Sequence, residues 1–486
     1  MILKELFKGL NVKQYKCDEI DVLGLSHNDW EAKKGDLFFC IKGVTVDGSL
    51  FAQRAVDKGV ACLVVEKKLP IDFPQVIVKD CRQAMAVAAS NFYGNCHKKM
   101  NIISVTGTNG KTTTTYIIKN ILEEAGYKVA VIGTNGAIID NNHIEVDLTT
   151  PDQIVLHHLF KQAYNMGIQY VIMEISAHAI ALSKVFGIFS RVGIFTNISN
   201  EHLDFFGDME TYAETKINYF NEETMEECVV NVDDVYGQKI AKQCGVPCIT
   251  YGLNNPANVF AVDVRSNMRG LDFFVNLMDE VFEINTPLLG EVNVYNILGA
   301  ITACKMIGVE TDTIVRALLN MKRVDGRFNL LPIGDNRFVM IDFAHTPDGF
   351  EKVLSFVRSK INGKVITLFG CVGYSDDEKR KEMATIAEKY SDYVIVTTDN
   401  PGKAKFYDIA SVVESGFSDG FKNYTLIEDR KQAVAFGLNK IQAGDILLLL
   451  GKGAEVSQNI GGVKLHYNDR ETVEELLEEK RKEGKI

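Results

Sequence analysis

Apolar runs of strand length alternate with helical patterns along most of the chain, and their arrangement changes twice. The first 98 residues mix a strand in GDLFFCIKG, a helix in SLFAQRAVDKG and a strand in ACLVVE. From residue 99 the runs, such as YVIMEIS and VGIFTNI, are continuously apolar, which is typical of parallel strands covered by helices on both faces. Near residue 326 a second alternation begins with FVMIDFA and continues to DILLLLGKG. The pattern predicts an α/β protein with a small α/β domain (1–98), a central parallel-sheet domain (99–325) and a Rossmann-like domain (326–486).

Composition and charge narrow the class of protein. The 46 % hydrophobic and 24 % charged content is ordinary for a globular protein, and the net charge of −11 argues against nucleic acid as a partner. No apolar run approaches ~18 residues and the N-terminus lacks a signal-peptide pattern, so we expect no membrane contact. Ten cysteines occur without a CxxC pair, which indicates reduced thiols in a cytoplasmic protein; the closest two, Cys244 and Cys248, have no histidine nearby. We expect a monomer.

A candidate phosphate loop stands between a strand at 102–105 and a helix that begins near Lys111. Backbone N–H groups in such a turn, with the helix N-terminus, form an anion site, and Lys111 would reach the β and γ phosphates. The Thr112 hydroxyl can ligate Mg²⁺. A strict Walker motif would need glycine in place of Val105. The alternative is an ordinary glycine-containing turn. The predicted ATP-binding residues here are Gly107, Thr108, Asn109, Gly110, Lys111, Thr112 and Thr113.

Two further residues stand where predicted parallel strands end. Glu174 ends a buried strand, and a carboxylate at that end faces the ligand crevice and suits Mg²⁺. His202 follows the next such strand. The alternatives are a surface glutamate and a structural histidine. We predict a functional role for both because three strand ends converge there.

Lys216 lies on the apolar face of a predicted helix at 209–220, capped by Asp208. Burying an ammonium is costly unless it is paired or chemically changed, and a lysine kept neutral can react with CO₂ to give a carbamate, an anionic metal ligand. Periodicity alone leaves two alternatives open, a lysine that reaches out to solvent and one paired with a carboxylate.

The GTNGKTT segment after a strand resembles the Mur ligases and the related folylpolyglutamate synthetases. The resemblance implies an ADP-forming ligase in which ATP phosphorylates a carboxylate and an amine attacks the acyl-phosphate. NISNEHLDFFGDMETYAETK is similar to the Mur segment whose lysine is carbamylated, which implies N6-carboxylysine at Lys216. In that family this residue holds a second Mg²⁺ together with the residues that match Glu174 and His202. Thr112 completes the implied metal ligands.

Within the family the chain most resembles the MurE type, which adds the third stem residue to UDP-N-acetylmuramoyl-L-alanyl-D-glutamate. GDLFFCIKGVTVDG, LTTPD and EISAHA are similar to its UDP-sugar and dipeptide segments, and VDGRF and IDFAHTPDG to its ATP-side segments. NPG, GKGAE and NDRE are similar to its amino-acid site. The resemblance implies UDP-sugar-binding residues Ser26, Thr149, Thr150, Ser176, His178 and Lys184, ATP-binding residues Asn296, Arg327, Asp342 and His345, and amino-acid-binding residues Asp399, Asn400, Gly451 and Glu455.

The amino-acid site departs from the pattern of the diaminopimelate-adding enzymes. Their arginine after Asp-Asn-Pro is Gly402 here, with Lys403 and Lys405 beyond it, and a second arginine is replaced by Ser375. An arginine binds a carboxylate through two hydrogen bonds, which neither glycine nor serine can do. We therefore predict lysine or another amine, rather than diaminopimelate, as the free amino acid.

Three other functions compete with this one. A Mur-like ligase of a side pathway would act on a different acid. A folylpolyglutamate synthetase would characteristically have glycine after the loop lysine, where this chain has Thr112. A nucleotide-binding regulator without turnover is opposed by the presence of Lys111, Glu174 and Lys216.

Overall fold

The computed structural model describes residues 1–17, 19–43, 46–373 and 376–482. They form two compact units. The first unit comprises Met1–Ile198, Glu210–Asn258 and Gly299–Glu310; the second comprises Ser199–Met209, Val259–Leu298 and the described residues from Thr311 onward. The α/β class is confirmed, whereas the boundaries at 98 and 325 stay a prediction.

The strands are numbered in chain order. They are β1 (Lys13–Tyr15), β2 (Gly24–Ser26), β3 (Asp36–Phe39), β4 (Cys62–Val65), β5 (Gln75–Ile77), β6 (Asn101–Thr106), β7 (Val129–Gly133), β8 (Gly136–Ile139), β9 (Asn142–Ile144), β10 (Tyr170–Ile175), β11 (Ser190–Phe195), β12 (Met225–Asn231), β13 (Cys248–Gly252), β14 (Val259–Ser266), β15 (Leu271–Leu277), β16 (Glu280–Thr286), β17 (Asn329–Pro332), β18 (Phe338–Asp342), β19 (Val365–Phe369), β20 (Tyr393–Thr397), β21 (Tyr424–Ile427), β22 (Ile446–Leu450), β23 (Ser457–Ile460) and β24 (Val463–His466).

The helices follow the same order, with short 3₁₀ turns at Gly48–Phe51 and Cys96–Lys99. They are α1 (Leu3–Leu6), α2 (Ala52–Asp57), α3 (Cys81–Phe92), α4 (Lys111–Glu124), α5 (Gln153–Asn165), α6 (Ala177–Ala181), α7 (Leu203–Phe206), α8 (Met209–Ile217), α9 (Val235–Gln243), α10 (Val292–Met306), α11 (Thr311–Leu319), α12 (Pro347–Lys360), α13 (Asp377–Tyr390), α14 (Phe406–Glu414), α15 (Arg430–Lys440) and α16 (Asp469–Lys482). In the part of the chain that the structure describes, no helix is long and apolar enough to cross a membrane.

The first unit contains two sheets. The N-terminal sheet has the order β1-β5-β4-β3-β2 and is parallel except for β1. Alternate residues of β3 explain how it is covered on both faces: Phe39 packs in one apolar cluster with α1 and α3, and Phe38 packs in another with α2. The predicted helix in SLFAQRAVDKG is shorter than expected because its first turn is 3₁₀.

The second sheet of this unit carries the candidate phosphate loop and Glu174 at the carboxyl ends of its strands. Its strands follow the order β13-β12-β11-β6-β10-β7-β8-β9, parallel from β13 to β7. Thr106 at the end of β6 is in register with Ile175 of β10 and Phe195 of β11. The carboxyl ends of these strands therefore meet at one edge, which is where ligands bind in open α/β sheets.

The second unit combines an antiparallel meander, β14-β15-β16, with a sheet of order β17-β18-β22-β19-β20-β21. The latter is parallel except for β17, so the doubly wound pattern is confirmed. Asp342 and Leu450 pair at the carboxyl ends of β18 and β22. Strand β21 and the β23–β24 hairpin were not predicted, because their residues, apart from the buried Gln458, are half-buried or exposed and form no continuous apolar run.

Helix α8 ends three residues earlier than predicted. It stops at Ile217 because the N–H groups of Tyr219 and Phe220 bond to carbonyls only three residues back, at Lys216 and Ile217, in a tighter turn. Lys216 nevertheless stays within the helix and on its buried face.

Candidate active site

The phosphate loop follows β6 and ends where α4 begins, as predicted. Gly110 has φ +89° at the helix N-cap, a backbone conformation that a side chain would strain. At Gly107 a Cβ would lie 1.9 Å from Oγ1 of Thr196, so only glycine fits there. Asn197 closes the loop from the end of β11: its carbonyl accepts from Thr108 N–H at 2.7 Å and its Oδ1 accepts from Asn109 N–H at 3.0 Å.

The side chain of Lys111 folds back onto this loop. Its ammonium donates to the carbonyls of Gly107 at 2.9 Å and Thr108 at 2.7 Å. Thr112 is buried in the first turn of α4. The loop is also tied to α8, since the hydroxyls of Thr108 and Tyr212 are 2.9 Å apart. A cation, a helix N-terminus and a backbone cradle thus share one place, which is the arrangement an anion site requires.

Glu174 is 1 % exposed, so the surface-glutamate alternative is wrong. Its two carboxylate oxygens accept from the N–H and the hydroxyl of Thr134, both at 3.0 Å. Gly133 is required beside it, because a Cβ there would lie 2.2 Å from Oε1. Thr134 was missed by the sequence analysis, since it is 40 residues away along the chain.

The hydrogen bonds continue from Glu174 to the predicted UDP-sugar residues. Thr149 and Thr134 hydroxyls are 3.2 Å apart. Thr150 donates to the Glu174 carbonyl at 2.8 Å and accepts from Ser176 N–H at 3.1 Å. His178 lies on α6, which Ser176 caps. The LTTPD and EISAHA segments, separate in sequence, therefore form one network at the end of β10.

Asp152 extends this network to the first sheet. The ammonium of Lys184 is 2.9 Å from Oδ1 of Asp152 and donates to the Thr150 carbonyl at 3.4 Å, while His27 is 3.6 Å from Oδ2. Burial acts to raise the pKa of Asp152, but His27 and Lys184 outweigh it and hold that pKa well below its ordinary value. Among the described residues, the buried Oγ of Ser26 has no hydrogen-bond partner.

Lys216 is 1 % exposed, and its Nζ lies 4.8 Å from the ring centre of Tyr212. The inward orientation predicted from periodicity is confirmed, and the solvent-reaching alternative is wrong. Burial is compatible both with a carbamate and with the alternative in which Lys216 pairs with a carboxylate. The carbamate itself stays a prediction.

The predicted ATP-side residues lie in the second unit. Asp342 is buried, which raises its pKa, and its oxygens accept from the N–H groups of Phe328 and Ala344, both at 2.7 Å. These bonds hold the turn that carries Arg327, whose guanidinium stacks 4.3 Å from the ring centre of Phe343. Asp342 thus positions Arg327, a role that the sequence did not indicate. Its contact with a ribose stays a prediction.

Glu201 lies between the two predicted histidines. Its carboxylate is 3.2 Å from Nε2 of His345 and 3.5 Å from Nε2 of His202. Nδ1 of His345 contacts the Phe343 carbonyl at 2.8 Å. The buried Asn296 donates to Asn293 at 2.7 Å within α10. His202 belongs to the second unit and Glu174 and Lys216 to the first, so their joint metal site stays a prediction.

A cavity of about 590 Å³ opens within the second unit at the ends of β18, β19, β20 and β22. It gathers residues that the sequence placed in four separate segments: His202, His345, Asp399, Asn400, Gly451 and Glu455. Negatively charged side chains predominate in the described lining of this cavity. The described lining residues include one lysine, Lys379, and the carboxylates of Glu201, Asp204, Asp348, Asp376, Glu378, Glu382, Asp399 and Glu455.

Lys452, which was not predicted from the sequence, supports the side of this cavity formed by the predicted amino-acid-binding residues. It is fully buried and donates to Oε2 of Glu455 at 2.7 Å and to the Ser457 carbonyl at 2.8 Å. Asn400 donates to the same Oε2 at 2.9 Å. Oε2 of Glu455 therefore already accepts hydrogen bonds from two side chains. Asp399 is buried, which raises its pKa, although Lys452 opposes the shift.

The sequence departs from the diaminopimelate-adding enzymes at Gly402 and Ser375, and the structure describes the first of these two residues. Gly402 has φ +58°, donates its N–H to the Asn459 carbonyl at 3.1 Å, and faces open space where a Cβ would stand. A side chain could therefore begin at this position without a collision at its Cβ. Lys403 and Lys405 beyond it are exposed. Ser375 lies outside the described residues.

A phosphate loop at the carboxyl edge of a parallel sheet, with a buried glutamate beside it and a separate α/β unit that bears an acidic cavity, defines a nucleotide-dependent enzyme. Comparison with known proteins narrows the class. Three family models match: the Mur ligase family catalytic domain at residues 24–93, the Mur ligase middle domain at 105–304 and the Mur ligase glutamate ligase domain at 326–453.

Relatives match along nearly the whole chain. A UDP-N-acetylmuramoyl-L-alanyl-D-glutamate–2,6-diaminopimelate ligase of Clostridium tetani is 37 % identical and covers 99 % of this chain and 100 % of its own. The ligase of the same name from Geobacillus thermodenitrificans is 38 % identical, and the match covers 95 % of this chain and 96 % of the relative. A solved structure of a ligase with this name is 26 % identical, has a TM-score of 0.65, and covers 95 % of each chain. The chain belongs to the Mur ligase family and is an ATP-dependent, amide-bond-forming ligase.

Proposed function

We propose that this ligase adds the third amino acid to UDP-N-acetylmuramoyl-L-alanyl-D-glutamate in peptidoglycan synthesis, and that the amino acid has a single carboxylate, as lysine does. The proposal includes a cytoplasmic monomer with domains at 1–98, 99–325 and 326–486. The names of its relatives support the acid substrate, whereas the amino-acid site supports a different amine.

The first unit fits ATP and Mg²⁺. ATP and Mg²⁺, when bound, supply the phosphoryl group and neutralise charge as the substrate carboxylate is activated. Gly107 lets the loop pack where a Cβ would collide with Thr196, and the ammonium of Lys111 can exchange its contacts with two loop carbonyls for contacts with phosphate oxygens. Thr112, Glu174 and a carbamylated Lys216 offer the hard oxygen ligands that Mg²⁺ prefers.

The UDP-sugar side is supported by an orphaned polar group. The buried Oγ of Ser26 has no partner among the residues described, which costs free energy unless a ligand supplies one. Lys184 is neutralised by Asp152, so we infer that it acts on the substrate together with that carboxylate rather than as an isolated cation. Thr149, Thr150, Ser176 and His178 complete this side of the site.

The charge of the cavity carries the proposal about the amine. Diaminopimelate brings two carboxylates, and the second needs a positive partner when it leaves water. The described lining offers Lys379 against a row of carboxylates, and Gly402 offers no side chain. An unpaired carboxylate would cost about 2–5 kcal/mol, roughly 30- to several-thousand-fold in specificity. Lysine and diaminopimelate both carry a distal ammonium that such a lining attracts, so the second carboxylate is the group that distinguishes them.

The test compares kcat/KM for lysine, ornithine and meso-diaminopimelate at saturating ATP and UDP-sugar dipeptide, with ADP and phosphate measured as products. We expect lysine or ornithine to exceed diaminopimelate by at least about 30-fold. A preference for diaminopimelate of more than tenfold would show that Lys403 or Lys405 replaces the missing arginine. If none of the three amines reacts with this acid, the side-pathway ligase becomes the better explanation.

A gain-of-function variant sharpens the test. Gly402→Arg should raise activity with diaminopimelate by at least about tenfold, because a bidentate arginine adds two charge-assisted hydrogen bonds. The matched control is Gly402→Asn, which tolerates the same left-handed φ without adding a charge. Equal diaminopimelate activity in both variants would mean that position 402 does not face the distal carboxylate.

A further inference from the structure

Three cysteines far apart in sequence converge in the first unit, away from the phosphate loop. Cys228 lies on β12, Cys248 begins β13, and Cys244 directly follows α9. Their sulfur atoms all lie within 4.8 Å of one another, and Sγ of Cys228 is 3.7 Å from Sγ of Cys244. The motifs of the ligase do not include any of the three.

The local fold explains the convergence. Strands β12 and β13 pair in parallel with Cys228 directly opposite Cys248. Helix α9 crosses between these strands, and the three residues after Cys244 return the chain to Cys248. Strand β11 separates β12 from β6, the strand that leads into the phosphate loop. The cluster is therefore a separate feature of the sheet rather than part of the site described above.

The geometry suits a soft cation. Zn²⁺ binds thiolates at about 2.3 Å, so two sulfurs that share a tetrahedral zinc lie ~3.8 Å apart. The 3.7 Å separation of Cys228 and Cys244 agrees with that distance, and the Cys244–Cys248 spacing falls in the range of zinc-binding cysteine pairs. A disulfide would instead join two sulfurs at about 2.05 Å and leave the third unused.

We propose that Cys228, Cys244 and Cys248 form a thiolate site for Zn²⁺. Cys228 and Cys244 are buried and Cys248 is partly exposed, so the cation enters beside Cys248 and solvent completes its coordination there. The three ligands belong to β12, to the end of α9 and to β13. A cation bound by all of them clamps the α9–β13 connection to the sheet, and it stabilises the folded chain because the unfolded chain does not hold the three sulfurs together.

The test uses the reduced full-length protein saturated with Mg²⁺, so that hard-ligand sites are filled. Zinc affinity is measured by competition with a chromogenic chelator, and Co²⁺ reports thiolate ligation through its near-ultraviolet charge-transfer absorption. We expect one equivalent of tight binding and a rise in the thermal midpoint with Zn²⁺. Cys248→Ser should weaken binding at least tenfold and abolish the rise; because the residue is partly exposed, this variant folds.

Cys304→Ala is the control, since Cys304 is a fully buried cysteine of α10 outside the cluster, where alanine buries no unpaired hydroxyl. It should bind Zn²⁺ and Co²⁺ as the unchanged protein does. Equal affinity in Cys248→Ser and the unchanged protein, or no thiolate band with Co²⁺, would overturn the proposal. So would an intramolecular disulfide in the isolated protein, seen as the loss of two hydrogens in its mass, if the reduced protein then fails to bind.

Discussion

The ion pair between Arg430 and Asp469 joins α15 to α16 next to the ends of β20 and β22, and both side chains are fully buried. The guanidinium donates to both carboxylate oxygens, at 2.9 and 2.8 Å. It also reaches the carbonyl of Leu450 at 3.1 Å and that of Thr398 at 3.5 Å. Burial opposes the charged form, yet Asp469 raises the pKa of Arg430 above its ordinary value. The pair therefore holds the strand ends that carry Asp399 and Gly451.

Arg430→Met should strongly destabilise the second unit. Removing one partner leaves the Asp469 carboxylate buried and uncompensated, which costs about 3–5 kcal/mol. With a urea dependence of about 2–3 kcal/mol per molar, the unfolding midpoint should fall by about 1–2.5 M. The neighbouring pair, Lys431–Glu475, joins the same two helices but is 45 % and 56 % exposed, so Lys431→Met should cost less than about 1 kcal/mol.

The assay must report on the correct unit. The one tryptophan, Trp30, lies in the first unit, so circular dichroism and hydrogen exchange of the β20 and β22 amides are the suitable probes. Arg430→Met should also raise the KM for the amino acid more than that for ATP. The double variant with Asp469→Leu should recover part of the lost stability, because it removes the stranded charge. If Arg430→Met and Lys431→Met have equal effects, the buried charge does not stabilise this unit as argued.

Three further predictions follow from the first unit. Lys111→Ala should lower ADP formation by at least about 100-fold, since it removes the loop's cation, and release of AMP and pyrophosphate by the unchanged enzyme would contradict the acyl-phosphate route. Lys216→Ala should fold but be nearly inactive, and formate or acetate should partly restore it relative to chloride at equal ionic strength; no rescue, with an unmodified lysine mass in the native protein, would rule out the carbamate. Burial lowers the pKa of His97 to about 4 and of His157 to about 3, below about 6.5 in the unfolded chain. The unfolded chain therefore binds more protons below pH 6.5, and stability should be lost by up to about 1.4 kcal/mol per pH unit per histidine as the pH falls toward 4. His157→Phe should flatten that slope in urea unfolding measured between pH 7.5 and 4.5, and an unchanged slope would assign it to other groups.

Local signals in the sequence were enough to place much of the fold. The apolar run of β22 predicted its bounds, and the turn chemistry before Lys111 predicted where α4 begins, because each signal lies within a few residues of the feature that it marks. Periodicity also predicted that Lys216 lies on the inward face of its helix, although it left open whether the side chain reaches solvent. It did not predict that α8 ends at Ile217, because the tighter final turn leaves no distinct pattern in the sequence.

The sequence by itself determined the class of fold, the phosphate loop and the departures at positions 375 and 402, all of which are encoded by contiguous residues. Only the tertiary structure decided which distant residues act together. In the folded chain Glu174 accepts a hydrogen bond from Thr134, and Lys452 forms an ion pair with Glu455. Cys228 lies beside Cys244 and Cys248, a pair that by itself indicated no site. The physical reason is that these groups lie on different strands and loops, and parallel pairing brings them to one edge or one register position only after the whole sheet has formed.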